Sequence, residues 1–174
     1  MDPALLRIRD VRPLDQEPLD ALILRAFEQD AEAPLINELR QHAKTRFNLV
    51  AEYEDALLGS ILLVDVRIED GQMERASVGI GLVAVHPNHR RQGVGTMLLK
   101  EGLLRCIDAG EPVVFALTDP GFYMKFGFSL ASARGFHYKW EEFDNLLLVK
   151  ELVPDGMQGL SGTVDFSPEI LEEI

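Results

Sequence analysis

Two hydrophobic periods alternate along this chain. Leu19, Leu22, Ile23 and Phe27 recur at helical spacing, and Asp15 stands at a cap position, which predicts a helix from Asp15 to about Gln29. Leu35, Ile36 and Leu39 predict a second helix over Ala33 to Ala43. Ahead of both, Leu6 to Arg12 reads as a strand that Pro13 stops. The period then falls to two. Phe47, Leu49, Ala51 and Tyr53 alternate with polar or smaller residues, the pattern of a half-buried strand. Glu54-Asp55 turns the chain, and Ser60 to Ile68 follows as a strand rich in Ile, Leu and Val. Asp70-Gly71 marks a hairpin, and Arg75 to Val85 returns beside it. Three antiparallel strands are therefore expected in succession.

The next connection is of another kind. Gly93 to Ala109 has helical spacing, with Val94, Met97, Leu98 and Leu104 apolar and Glu101, Arg105 and Asp108 opposite. Gly110 suits the position past a helix end, and Pro112 prevents its resumption. Val113 to Leu117 is an unbroken apolar strand. A strand, a long helix and a buried strand imply a right-handed crossover with the strands parallel. A short helix is expected near Gly121 to Phe126, and a final strand pair near Phe136 to Trp140 and Leu146 to Glu151. Beyond it, Gln158 to Thr163 reads as a loop and Val164-Asp165-Phe166 as an edge strand. The predicted class is α+β, with a mixed, mainly antiparallel central sheet flanked by helices. With no repeat or linker in view, residues 1–174 read as one domain. Its core is expected over about 5–151, and a C-terminal extension, 152–174, should pack beside the core or another subunit.

Composition narrows the setting. At 174 residues the chain can bury a substantial core. No apolar run approaches the roughly 20 residues of a membrane span, and MDPALLRIRD lacks the basic-then-apolar order of a signal peptide. A single cysteine, Cys106, excludes an intramolecular disulfide framework and reads as a buried, inert thiol in mid-helix. A cytoplasmic location is the expectation. The net charge of −12 opposes binding to nucleic acid or to anionic membranes and favours a cationic partner, although an acidic surface also serves solubility. His86 and His89 are three apart, His42 and His137 are distant, and no cysteine joins them, so no metal is expected. Glu141-Glu142 and Glu172-Glu173 read as solvated acids.

Against that acidity, Arg90-Arg91-Gln92-Gly93-Val94-Gly95-Thr96 is a local exception between a strand and a helix start. The first turn of a helix has amides without internal partners, which carry partial positive charge. Glycines let an anion approach that backbone, so the segment can cradle a phosphate. Arg90 and Arg91 add charge, and Thr96 adds a hydroxyl. The pattern is neither the longer loop ending in Gly-Lys-Ser/Thr nor a full GxGxxG, and alone it equally suits a tight turn. Its context favours the cradle. Gly79 and Gly81 interrupt the preceding strand, where glycine marks a bulge or the close approach of a ligand, and Pro87 ends that strand sharply.

With these residues in place, the chain resembles the GCN5-related N-acetyltransferases. The resemblance rests on Val83-Ala84-Val85-His86-Pro87, then Arg90-x-x-Gly93-x-Gly95, then a long amphipathic helix. A second motif follows in the family's order: Asp119-Pro120-Gly121-Phe122-Tyr123-Met124-Lys125-Phe126-Gly127-Phe128 resembles its "FYxKxGF" helix and turn. The element order matches over about Arg7 to Lys150. The DPxYYxxFGF-like form with a C-terminal extension resembles a small bacterial-type subgroup.

The resemblance implies a cosubstrate, acetyl-coenzyme A, with no metal, and an acetyl group moved directly to an amine of a small molecule or peptide. It implies that the amides of Arg91, Gln92, Gly93, Val94, Gly95 and Thr96 bind the diphosphate, with Arg90 beside them. The pantetheine arm would pair like an added strand along Val83, Ala84 and Val85, and the N–H of Val83 would face the thioester carbonyl. Such a donor stabilises the oxyanion formed as the amine attacks. Tyr123 matches the general acid that protonates the departing thiolate, and phenols and thiolates are similar bases. Phe122 and Phe126, four apart, should pack toward the core while Tyr123 faces the coenzyme, and Phe122 is also expected among the residues that touch the coenzyme. Asp119 stands near the place of an asparagine that touches the coenzyme in many members, and can cap the following turn instead. Gly79 stands where some members have a glutamate base, which leaves Glu52, Asp65 or a chain of waters to take the amine's proton. A homodimer is a further expectation, as is a role of the extension in shaping the acceptor pocket. The rival class is a coenzyme A or acyl-coenzyme A binding module, a sensor or interaction domain without catalysis.

Overall fold

The computed structural model describes residues 1–28 and 33–166. Its strands are β1 (Arg7–Asp10), β2 (Thr45–Tyr53), β3 (Ala56–Asp70), β4 (Met73–Val85), β5 (Val113–Leu117), β6 (Ser129–Leu130), β7 (Phe136–Tyr138), β8 (Leu147–Glu151) and β9 (Gly162–Asp165). Its α-helices are α1 (Gln16–Phe27), α2 (Ala33–His42) and α3 (Val94–Asp108). One sheet runs β1-β2-β3-β4-β5-β8-β6. All of these pairs are antiparallel except β4 with β5, as the crossover through α3 requires. The mixed, mainly antiparallel sheet flanked by helices is thus the one the periodicity predicts. The predicted helix end at Gln29 and the acids Glu172-Glu173 lie outside the described residues, as does the side chain of Leu35.

The helices cover opposite faces. Leu19, Leu22 and Ile23 of α1, with Ile36 and Leu39 of α2, pack on Val50, Val64 and Leu82. On the other face, Val94, Leu98, Leu99 and Cys106 of α3 pack on Leu49, Ile61 and Val78. The buried stripe of α3 therefore follows positions four apart, and Leu104, expected on it, is 53% exposed. Cys106 is fully buried, and burial pushes its thiol up to about 12, so it is inert at neutral pH.

Asp15 stands at the start of α1, but its carboxylate turns away from the helix. It accepts from the Arg12 N–H at 2.7 Å and from both Arg9 guanidinium nitrogens, Nη1 at 2.7 Å and Nη2 at 3.0 Å. Arg9 Nε reaches Glu52 on β2 at 2.6 Å. A charged, forked donor outcompetes a single helix amide, and the cluster ties the entry of α1 to the β1–β2 edge.

The expected final hairpin is a correction. Phe136–Tyr138 and Leu147–Glu151 both exist as strands but do not pair. β8 pairs with β5, whereas β7 pairs in parallel with β9. β9 in turn takes the edge of β3 at Arg67–Glu69, beyond the stretch that β2 covers. The tail thus joins the sheet, and it brings Phe166 fully inside. The Phe166 ring explains Gly79: a Cβ there would come within 2.5 Å of its Cζ and 2.7 Å of Val66 Cγ2. That glycine makes room for an aromatic ring rather than for a ligand.

Two outcomes follow. Phe166→Ala should destabilise the fold by about 3–5 kcal/mol in chemical denaturation, the usual loss for a buried aromatic. The Arg9 guanidinium holds the Asp15 carboxyl at about 2, below its ordinary 3.8. A depressed carboxylate stabilises above its unfolded value and ceases to do so as pH falls through the folded one. The melting temperature should fall between about pH 4 and 2, and Asp15→Asn should remove that part of the acid sensitivity.

Candidate functional site

β4 and β5 pair at only two positions, Gly79 with Phe115 and Ile80 with Ala116. The register with β3 then slips: Leu62 faces Leu82, while Leu63 faces Ile80. Gly81 is the extra residue, a β-bulge. It places Gly81 and Leu82 successively toward the α1–α2 face, since a Cβ on Gly81 would meet Val64 Cγ1 at 3.5 Å. A bulge bends and twists its strand. Past it, β4 runs on to Val85 while β5 ends at Leu117, and the Thr118 amide bonds across to Leu146 O at 3.0 Å. The strands splay, and a cavity of about 550 Å³ opens between them.

The anion loop closes one end of this cavity. Gly93 caps α3 with φ +88°, and no side chain caps the helix. The first intrahelical bond here runs from Met97 N to Gly93 O at 3.0 Å, so the amides of Val94, Gly95 and Thr96 have no intrahelical carbonyl. Arg91 also has positive φ, +63°. A non-glycine residue held in that region costs about 1 kcal/mol or more, and such strain gathers at ligand sites. A Cβ at Gly93 would meet nothing within 4 Å, so its φ, not crowding, demands glycine.

Most of the expected site residues converge here. Val83, Val85, Arg90, Arg91, Gly93, Val94, Gly95 and Thr96 line the cavity from the β4 and α3 sides. Asp119, Phe122 and Tyr123 line it from the turn after β5. Ala84 and Gln92 do not: the Ala84 side chain is fully buried in the core on the α1–α2 side of the sheet, and Gln92 is exposed. Asp119 Oδ1 accepts from the Gly121 N–H at 3.1 Å, so its carboxylate braces that turn. Tyr123 opens a short 3-10 helix, Tyr123–Phe126, and is 5% exposed, stacked edge-on between Phe122 and Phe128 at 5.3 and 5.4 Å. The expected division of the aromatics is reversed in part. Phe122 is only half-buried and lies against Gly95, its Cζ 3.5 Å from where a Gly95 Cβ would stand, while Tyr123 is the deeper ring.

Two candidate bases lie elsewhere. Glu52 is held below its ordinary range by the Arg9 hydrogen bond, at the β1–β2 edge. Asp65 pairs with Arg46 at 3.4 Å. Neither lines the cavity. Sequence reading missed the wall opposite the loop. Ala26, Phe27 and Ile36 come from α1 and α2, with Leu82 and Leu117 from the strands. Their helical periodicity had marked Phe27 and Ile36 as core, and no local signal tells a cavity wall from a core face. His89 and Lys125 also line the cavity. His86 Nδ1 accepts from the Asn88 N–H at 3.1 Å, and burial, then nearby Arg25, His89 and Arg90, keep its ring below its ordinary value. Among the described residues no cluster of acids, histidines or cysteines could hold a metal ion, and no helix is long and apolar enough to cross a membrane.

Comparison with known proteins agrees with this geometry. Residues 7–131 match the family described as "Acetyltransferase (GNAT) domain". The chain is 35% identical over 162 residues to the uncharacterized N-acetyltransferase YhbS of Escherichia coli strain K12, across 91% of this chain and 95% of that one. The crystal structure of Escherichia coli YhbS in complex with CoA has a TM-score of 0.81 at 33% identity, covering 98% of this chain and 95% of that one. A GNAT family acetyltransferase from Brucella melitensis, in complex with acetyl-CoA, has a TM-score of 0.70 at 27% identity, covering 92% and 95%.

The cradle is tested at Gly93. Gly93→Val forces a branched side chain into a left-handed backbone with open space around it, so the loop must refold locally while the core stays intact. Calorimetric titration with coenzyme A should show affinity at least ten-fold weaker, with the melting temperature within a few degrees of the parent. Unaltered affinity would place the anion elsewhere.

Proposed function

As a member of the GCN5-related N-acetyltransferase family, we propose, this chain carries the acetyl group of acetyl-coenzyme A directly to an amine of a small molecule or peptide. The observation that carries the reading is the opening where β4 and β5 part, with the amide end of α3 and Tyr123 both in its lining. In this reading the amides of residues 91–96 and the Arg91 side chain hold the diphosphate. The edge of β4 at Val83–Val85 takes the pantetheine arm as strands take peptides. The Val83 N–H polarises the thioester carbonyl. The amine's lone pair attacks the carbonyl carbon, the C–S bond breaks, and the thiolate leaves with the Tyr123 proton. The nitrogen's own proton departs through water, since Glu52 and Asp65 are engaged outside the cavity. Positioning two reactants in one cleft supplies much of the acceleration.

The same reading takes residues 1–174 as one domain whose C-terminal segment completes the sheet, in a cytoplasmic homodimer. The single buried thiol supports a reducing compartment. One observation favours the rival, a binding module without turnover: Phe166 covers Gly79, the place of a glutamate base in some relatives.

A thiol-release assay separates the two. Acetyl-coenzyme A would be mixed with phenethylamine, spermidine, lysine methyl ester and a peptide bearing a free N-terminus. Release dependent on at least one amine is expected, and coenzyme binding with no release would favour the module. Tyr123→Phe should lower kcat at least ten-fold with the coenzyme Kd within about two-fold, as loss of a general acid does. Affinity loss with unchanged kcat would remove Tyr123 from the chemistry.

A further inference from the structure

Arg90 opens the anion loop, yet its side chain is used in the opposite direction. Its Nη2 donates to the carbonyl oxygen of Ala26 at 2.8 Å. Ala26 lies in the last turn of α1, which ends at Phe27, and carbonyls of a helix's last turn are the ones that a partner from outside the helix can satisfy. That end of a helix carries partial negative charge, which a guanidinium complements. Arg25 adds a second cation to the same turn. Ala26 and Phe27 both line the cavity, as Arg90 does. Three residues after Arg90, Gly93 begins α3 and its free amides. One side chain therefore ties the loop ahead of α3 to the end of α1, both of which line the cavity.

We infer that Arg90 is a positioning residue for the acceptor: it pins the end of α1, and with it the Phe27 wall, against the cavity. Diphosphate binding is left to the backbone amides and Arg91. The inference rests on the transferase reading for its effect on the amine, and on geometry alone for the anchoring of α1. Guanidinium suits the task because it stays charged at every working pH and can keep one nitrogen on the carbonyl with others in solvent. Lysine reaches the same oxygen with a single point charge, and should do so less well.

The experiment uses Arg90→Ala and Arg90→Lys in the full chain. Three quantities are read: the coenzyme A Kd by calorimetry, amide hydrogen exchange over residues 22–27, and KM and kcat for whichever amine of the panel above reacts. In Arg90→Ala, exchange at the end of α1 should accelerate several-fold, and the amine KM should rise at least five-fold. The coenzyme Kd and kcat should stay within about two-fold. Arg90→Lys should recover part of the KM loss. A coenzyme Kd raised more than two-fold would make Arg90 a phosphate ligand and overturn the inference, as would an unchanged amine KM. If no amine reacts, the transferase reading fails separately. The anchor is then decided by exchange and Kd: unaltered exchange in α1, or a Kd loss beyond two-fold, overturns it.

Discussion

The site depends on two parallel strands that stop pairing. β4 and β5 share two residue pairs and then diverge at the Gly81 bulge. A sheet edge exposed inside a protein is ordinarily a defect, since its amides and carbonyls need partners. Here the edge beyond Ile80 faces a cavity, with α3 starting close behind it. In the proposed reading an extended ligand arm completes the sheet along β4, and the anion at its end meets the amides of α3. One inserted residue in β4 thus creates both a strand-binding edge and room to reach it.

Charge is distributed to suit that end. The chain has 17 basic against 29 acidic side chains, so a cationic groove cannot come from excess. Several arginines away from the loop are matched by carboxylates: Arg9 by Asp15 and Glu52, Arg46 by Glu111 and Asp65, Arg105 by Asp10 and Glu101. In the proposed reading the loop relies instead on backbone dipoles, which do not titrate and are fixed by the α3 fold. Arg91 and Lys125 supplement them from the cavity lining. Tight positioning by neutral amides also leaves the surrounding acidic surface free to serve solubility.

What the sequence disclosed follows the range of the interactions involved. The period-two and helical runs gave the strands from Phe47 to Val85 and the helix after Gly93, because each is a local pattern facing one layer. The loop was legible from Arg90 to Thr96 because glycine and helix-start chemistry are local as well. Two features were not. Gly79 reads locally as a bulge or as ligand approach, whereas the ring it makes room for, Phe166, comes from the far end of the chain through the β9–β3 pairing. The partner of β7 is also a tail strand rather than its neighbour β8, and only long-range register decides between them. The arginine at 90 carries the same ambiguity: its charge announced an anion, while its bond goes to a helix carbonyl that no spacing rule connects to it.

The closing of the sheet over Gly79 bears on how the amine loses its proton. An alkylamine with a pKa of about 10.4 is mostly protonated near neutral pH, and freeing its lone pair costs roughly 4 kcal/mol there. A carboxylate in the cleft would lower the barrier by taking that proton, but it would also hold the ammonium form. The described wall opposite the loop is of another character, built from Phe27, Ile36, Leu82 and Leu117. Apolar surroundings disfavour the charged amine and lower its pKa, so burial performs part of a base's task before any transfer occurs. In the proposed reading the packing of Phe166 on Gly79, the apolar wall and a proton carried off by water are then parts of one solution. The wall contributes most when it is held in place, which is the service that a single arginine to the carbonyl of Ala26 provides.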